Sequence, residues 1–193
     1  MKPVLIACEC SQVECSAFRR LGIEAYSCDI QDCYGGHQEW HIKADAVKTL
    51  YEGDWGLVIA HPPCTYLAAV GSPNMYKDGR IDTGRYEKMC AGKEFFMQFY
   101  NYRCAPICVE NPRPMAMAQL PPKNQIICPS EFGHPWTKRT FLWLHELPQL
   151  LPTHAKDISA KSWVYHTHHG NKRCRSFTGI AQAMAEQWSK YII

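Results

Sequence analysis

The chain has 193 residues and is 46% hydrophobic, enough for one sizeable core but not for two full-size domains, so a single domain over 1–193 is expected. Its longest apolar stretches, such as Trp55 to Ala60 and Phe141 to Leu144, fall far short of the roughly 20 residues that span a bilayer. With no signal-like segment before the first apolar run, no membrane association and a cytoplasmic location are expected. A formal charge of +3 is too small to establish nucleic-acid binding by itself, and an odd count of 11 cysteines in a chain of this length argues for reduced thiols over a disulfide scaffold.

Pro3 to Cys8 is a short apolar run followed by Ser11-Gln12-Val13-Glu14, the Ser-x-x-Glu pattern of a capping box, so a buried strand is expected to feed a helix. Val13, Ala17, Phe18 and Leu21 recur at helical spacing, and Gly22 stands where a left-handed C-terminal cap would sit. Glu24 to Cys28 reads as a second strand ending at Asp29, which completes a strand-helix-strand unit of an open parallel α/β sheet. After a loop rich in Gly, His and Trp, a short helix is expected from Asp45 to Tyr51. Trp55 to Ala60 then makes a continuous apolar strand that Pro62-Pro63 stops. Glu87 to Tyr102 has helical spacing, with Phe95, Phe96 and Phe99 on the buried side, and Pro106 to Val109 forms a strand ending at Glu110-Asn111-Pro112. Gln125 to Ile127 and Thr140 to Leu144 read as further strands, and Thr178 to Tyr191 as a closing helix. Strand ends thus carry Asp29, Cys64 and Glu110, where open α/β sheets place ligands.

Cys64 and Glu110 are a chemically meaningful pair. Carbon 5 of cytosine is a poor nucleophile, and methylating it requires a thiolate to add at carbon 6 and turn the ring into an enamine-like nucleophile. A carboxyl group at ring nitrogen 3 keeps the ring electron-accepting and also accepts from the exocyclic amine that distinguishes cytosine from uracil.

Four segments, in chain order, carry a resemblance. Pro62-Pro63-Cys64 resembles the Pro-Pro-Cys nucleophile loop of the DNA cytosine carbon-5 methyltransferases, and Glu110-Asn111 resembles their Glu-Asn-Val motif. Thr137-Lys138-Arg139-Thr140 resembles the Gln-x-Arg-x-Arg segment that leads into a strand, and Gly179-Ile180-Ala181 a degenerate form of the C-terminal motif that closes over the cofactor. The segments Ala60-His61-Pro62-Pro63-Cys64-Thr65 and Phe132-Gly133-His134-Pro135 are similar to segments of small cytosine methyltransferase-like proteins of phage and prophage type. The resemblance implies a Rossmann-like class I S-adenosylmethionine-dependent methyltransferase: an open, mainly parallel sheet with helices on both faces and a reduced target-recognition region. It implies Cys64 as the covalent nucleophile, Glu110 as the carboxyl partner and Arg139 as support for the flipped base. Pro63, Asn111 and Lys138 are then candidate substrate contacts.

Where that family has Phe-x-Gly-x-Gly after the first strand, this chain has Ala7-Cys8-Glu9-Cys10-Ser11-Gln12, without a glycine. Glu9 would repel the pyrophosphate of a dinucleotide and attract the ammonium and sulfonium of S-adenosylmethionine. The cofactor-binding candidates are Ala7, Glu9, Ser11, Asp29, Ile30, Asp45 and Pro62, with Asp29 set to accept ribose hydroxyls and Asp45 to contact the adenine amine. Residues 145–177 read as a short, loop-rich basic insertion in place of a full target-recognition domain. Within it Lys161, Lys172, Arg173 and Arg175 lie in a stretch without acidic residues and are candidate phosphate contacts, alongside the reading of a solvated loop.

The substrate these readings imply is cytosine in DNA. The alternatives are a free cytosine nucleotide, or a catalytically idle protein that keeps the fold and binds nucleic acid or a partner. Cys8-x-Cys10, Cys28 with Cys33, and His166-x-His168-His169 with Cys174 contain zinc-ligand types, but no pair of Cys-x-x-Cys knuckles appears, so no metal is expected. His61 reads as an ordinary loop histidine, with tuning of the Cys64 thiolate as the alternative.

Overall fold

The structure, a computed structural model, describes residues 1–155, 159–163 and 176–193. Its first strand, β1 (Val4–Ala7), is buried on both faces, as continuous apolar runs are in the interior of a parallel sheet. The chain continues through α1 (Val13–Arg20), β2 (Ala25–Asp29), β3 (His41–Lys43), α2 (Ala46–Glu52) and β4 (Leu57–Ala60). A small hairpin of β5 (Tyr76–Lys77) and β6 (Arg80–Ile81) precedes α3 (Thr83–Tyr100) and β7 (Ile107–Pro112). Then come β8 (Gln125–Ile127), β9 (Trp136–Thr137), β10 (Thr140–His145), β11 (Lys161–Ser162) and α4 (Thr178–Trp188).

The main sheet has the order β3-β2-β1-β4-β7-β10-β8. The first five strands are parallel, while β10 runs antiparallel to both β7 and β8. This is an α/β fold with a mostly parallel, mixed seven-stranded sheet, compatible with a Rossmann-like architecture. The chain winds outward from β1 in one direction through β2 and β3, and from β4 in the other through β7, so the topological switch lies between β1 and β4. Register pairs Ala7 with Ala60 and Ala60 with Val109, which brings the C-terminal ends of β1, β4 and β7 level.

Alternation along the strands divides the core into two layers. Val4, Ile6, Leu57, Ile59 and Cys108 pack with Val13 and Phe18 of α1 and Ile180 and Trp188 of α4. Leu5, Ala7, Val58, Ala60 and Val109 pack on the opposite face with Leu50 of α2 and Phe96 and Phe99 of α3. Helices therefore flank the sheet on both sides.

Several boundaries follow local chemistry that the periodicity alone does not carry. Asp82 caps α3 by accepting from the backbone N–H of Arg85 at 2.8 Å, so that helix begins a turn before Glu87. Gly22 takes φ +75° and its N–H bonds to the Arg19 carbonyl, the expected left-handed termination of α1. The expected capping box at the start of α1 does not form. Gln12 is the N-cap and makes no side-chain cap, because the Ser11 hydroxyl donates instead to the Glu9 carboxylate and Glu14 points into the protein. Among the described residues, no helix is long and apolar enough to cross a membrane.

Candidate functional site

The pleat of the sheet builds the site. Leu57 and Ile59 face α1, and the His61 N–H extends the ladder by bonding to the Ala7 carbonyl at 2.9 Å, so His61 continues that face. Cys108 places Glu110 on the same side of β7. Opposite them, Glu14 lies three and four residues before the buried Ala17 and Phe18, on the inner face of α1.

Four titratable groups meet there. The His61 Nε2 lies 3.5 Å from Glu14 Oε1, and its Nδ1 lies 3.4 Å from Glu110 Oε2. Glu14 is only 1% exposed and neither carboxylate oxygen has a hydrogen-bond partner; Glu9 is 6% exposed and its Oε2 is likewise unpartnered. Burial by itself lowers the imidazole pKa, but the charge of Glu14, the hydrogen bond and charge of Glu110 and the charge of Glu9 outweigh it and push His61 up to about 9. For Glu9, burial and then the charge of Glu14 push the carboxyl up to about 7, against the opposing Ser11 hydrogen bond and the charge of His61. Burial also tends to raise Glu110, yet its net shift is downward, because the hydrogen bond and charge of His61, then Lys138 and Thr140, favour the carboxylate.

Cys64 follows on a braced loop. Pro62 is buried and Pro63 exposed, while the Cys64 side chain is half-buried. The Cys64 carbonyl accepts from the N–H groups of Leu67 at 3.0 Å and Ala68 at 2.9 Å, which makes a turn. The exit of that turn is fastened to the segment after β7: Met115 N–H donates to the Leu67 carbonyl at 2.7 Å and Ala69 N–H to the Arg113 carbonyl at 2.8 Å. Asn111 completes the brace, its Nδ2 donating to the Pro62 carbonyl at 2.7 Å. Expected as a substrate contact, Asn111 is only 1% exposed and faces the Pro-Pro-Cys loop, so it positions that loop. None of the ten described cysteines forms a disulfide.

The pleat also sorts Lys138 from Arg139. Leu142 lies opposite Glu110 in register, and Thr140 and Lys138 continue the same alternation, so it is the Lys138 charge that acts on Glu110. Arg139, expected beside the base, is exposed on the alternate position.

The remaining sequence candidates fall into different settings. Ala7 is fully buried, and its carbonyl is occupied by His61 N–H. Asp29 accepts from the Gln31 N–H at 2.9 Å in a local turn, and Ile30 beside it is 71% exposed. Asp45, expected near an adenine amine, is the N-cap of α2, accepting from Lys48 N–H at 2.8 Å. The segment after β1 lacks glycine but still uses left-handed backbone, with φ 58° at Cys8 and 61° at Gln12. Gln12 is clamped by its Nε2 donating to the His37 carbonyl at 2.6 Å and its Oε1 accepting from His37 N–H at 3.0 Å. Lys172, Arg173 and Arg175 lie outside the described residues, as do residues 156–158 and the rest of 164–175 of the basic insertion; Lys161 is exposed in β11.

Two distant segments singled out by the resemblance meet. Gly179 packs so closely on the Phe132 carbonyl that a Cβ there would collide with it, and Gly179 N–H donates to His134 Nε2 at 3.0 Å. Burial and then His154 lower the pKa of His134, which favours the neutral imidazole that this acceptor role needs.

No protein-family model and no curated protein sequence matches the chain. Among the described residues, no group of three or more His, Cys, Asp or Glu side chains is arranged to hold a metal ion. Glu14, which reads in the sequence as half of a capping box, and His61, which reads as an ordinary loop histidine or a tuner of the Cys64 thiolate, instead meet beside Glu110. Their signal was positional: His61 extends the 57, 59 alternation, and Glu14 sits on the apolar face of α1.

Proposed function

We propose that the chain is an S-adenosylmethionine-dependent methyltransferase that transfers a methyl group to carbon 5 of cytosine in DNA through a covalent Cys64 adduct. The observation that carries this reading is the bracing of the Cys64 loop by Asn111, the residue next to Glu110, at the C-terminal edge of adjacent parallel strands. Thiol and carboxyl are thereby tied to one backbone frame, as an addition that needs both groups at one ring requires.

The residues present fit a cationic cofactor better than a dinucleotide. The unpartnered buried Oε2 of Glu9 makes the end of β1 acidic, which suits a sulfonium or an ammonium and opposes a pyrophosphate. Glu9 and Asp29 would hold its polar ends. When bound, S-adenosylmethionine supplies the electrophilic methyl group.

The chain's own residues do the rest. The Cys64 thiolate forms a bond to carbon 6, and the displaced ring electrons pass toward nitrogen 3. Glu110 accepts from the exocyclic amine and governs the proton at nitrogen 3, while Asn111 keeps the loop in place. The carbon 5 proton then passes to water, its electron pair restores the carbon 5–carbon 6 double bond, and the sulfur leaves as the thiolate.

Tritiated S-adenosylmethionine incubated with DNA, and separately with deoxycytidine nucleotides, tests the reading. Label is expected in DNA and lost in Cys64→Ser. Label in nucleotides alone would replace the substrate, and label unaffected by Cys64→Ser would reject the covalent mechanism.

A further inference from the structure

Addition at carbon 6 needs a proton at nitrogen 3, yet the structure holds Glu110 as a carboxylate against His61. Behind His61 stands Glu14, 1% exposed, with both oxygens lacking hydrogen-bond partners and its Oε1 aimed at His61 Nε2 across 3.5 Å. A buried carboxylate without hydrogen bonds is strongly destabilising unless a cation faces it, and His61 is the side chain that faces this one.

We propose that Glu14 and His61 form a proton store for Glu110: the imidazolium, clamped between two carboxylates, fixes Glu110 in the resting site and passes it a proton when a base adds to Cys64. The proposal rests on the methyltransferase reading. His61 does not touch the substrate; it acts through Glu110 and is a positioning residue.

The carbon 5 proton leaves to water, and the nitrogen 3 proton is borrowed and returned. As the sulfur–carbon 6 bond forms, the ring's electron pairs shift and a new N–H bond forms at nitrogen 3 with the proton of the Glu110 carboxyl. Glu110 takes that proton from His61 Nδ1, whose N–H bond breaks and leaves its pair on nitrogen. Glu110 ends as the carboxylate it began as, and His61 ends neutral beside an unbalanced Glu14. That unbalanced charge draws the proton back when the ring rearomatises. The ionisable groups facing this chain come from each packed element: Glu9 after β1, Glu14 on α1, Glu110 on β7 and Lys138 before β10. His61 sits among more negative than positive neighbours and is held protonated, up to about 9.

Nitrogen-15 NMR of the imidazoles, read together with methyl transfer against pH, tests this. In the wild type, His61 is expected to carry protons on both nitrogens through neutral pH and to titrate near 9, and Glu14→Gln to move that titration down. His61→Gln is expected to lower the transfer rate roughly 10²-fold, to leave S-adenosylmethionine affinity unchanged and to abolish the alkaline limb of the rate profile. The double variant Glu14→Gln/His61→Gln, which does not leave Glu14 as a buried carboxylate without a cation, should show the same loss if His61→Gln alone folds poorly. Titration of wild-type His61 near its ordinary 6.5, or a His61→Gln or double variant with an unchanged pH profile, would overturn the proposal. A wild type that transfers no methyl group but shows the high His61 titration would instead remove the methyltransferase reading, and with it the proton-delivery role, while leaving the clamped imidazolium in place.

Discussion

The segments that follow β4 and β7 are fastened to each other, whereas the segment that follows β1 is fastened to itself and to the loop after β2. In the first region Asn111, Met115 and Ala69 make hydrogen bonds that cross between the Cys64 loop and the chain after Glu110. In the second, Ser11 bonds to Glu9, Gln12 clamps His37, and Tyr34 N–H donates to the Cys10 carbonyl at 2.9 Å. One region holds the Cys64 thiol and the Glu110 carboxyl in a shared frame; the other folds a glycine-free turn into a closed local unit. Under the proposed function these are the substrate half and the cofactor half, and substitutions should separate them.

The largest effect is expected from Asn111→Leu, which removes the hydrogen bond to Pro62 and frees the Cys64 loop. Because a displacement of about 1 Å at a reacting group costs roughly 10²-fold, methyl transfer should fall by about that factor. S-adenosylmethionine affinity, measured by calorimetry, should stay the same. Equal loss of both would mean that the two halves are not separable.

Gly35→Ala should act in the opposite half. A Cβ at Gly35 would come within 2.6 Å of the Ser11 carbonyl oxygen and the Gln12 side chain, so the turn after β1 must shift. Overpacking of this kind costs about 1–3 kcal/mol, read by chemical denaturation, and cofactor affinity should drop while the residual turnover at saturating cofactor persists. Unaltered affinity would detach this turn from the cofactor.

Much of the framework is legible in the amino-acid order. Continuous apolar runs mark β1 and β4, helical spacing marks α1 and α4, and strand ends collect Cys64 and Glu110. What is not legible is three-dimensional neighbourhood. Ser11-x-x-Glu14 has the letters of a capping box, but β1 places Glu9 where it captures the Ser11 hydroxyl, and the buried face of α1 turns Glu14 inward. Lys138 and Arg139 are adjacent in sequence, and only the register of β10 against β7 decides which cation acts on Glu110.

The buried charges predict a smaller, graded effect on stability. His61 is raised in the folded state, so its contribution is complete below its ordinary 6.5 and is lost as pH rises through about 9. Glu9 is also raised, from 4.5 to about 7, so ionising it above 4.5 costs stability in the same direction. Glu110 is lowered, and its contribution is lost as pH falls below the ordinary carboxyl range. The melting temperature should therefore decline between about pH 6.5 and pH 9 by at least about 3 °C. Glu14→Gln removes the group that most raises His61 and the charge that raises Glu9, so it should flatten that decline. An identical slope in the variant would mean that other groups set it.

The smallest effect distinguishes two aspartates that the sequence places alike. Asp45 spends its carboxylate on Lys48 N–H at the start of α2, and losing such a cap costs about 1 kcal/mol. Asp45→Ala should lower stability by that amount and leave cofactor affinity unchanged. Asp29 closes only a local turn at the end of β2, beside the switch point, where a ribose would lie under the proposed function. Asp29→Ala should weaken S-adenosylmethionine binding with a smaller change in stability than Asp45→Ala. If the two variants instead behave identically in both measurements, the end of β2 has no more to do with a cofactor than the start of α2, and Glu9 at the end of β1 is left to bind it alone.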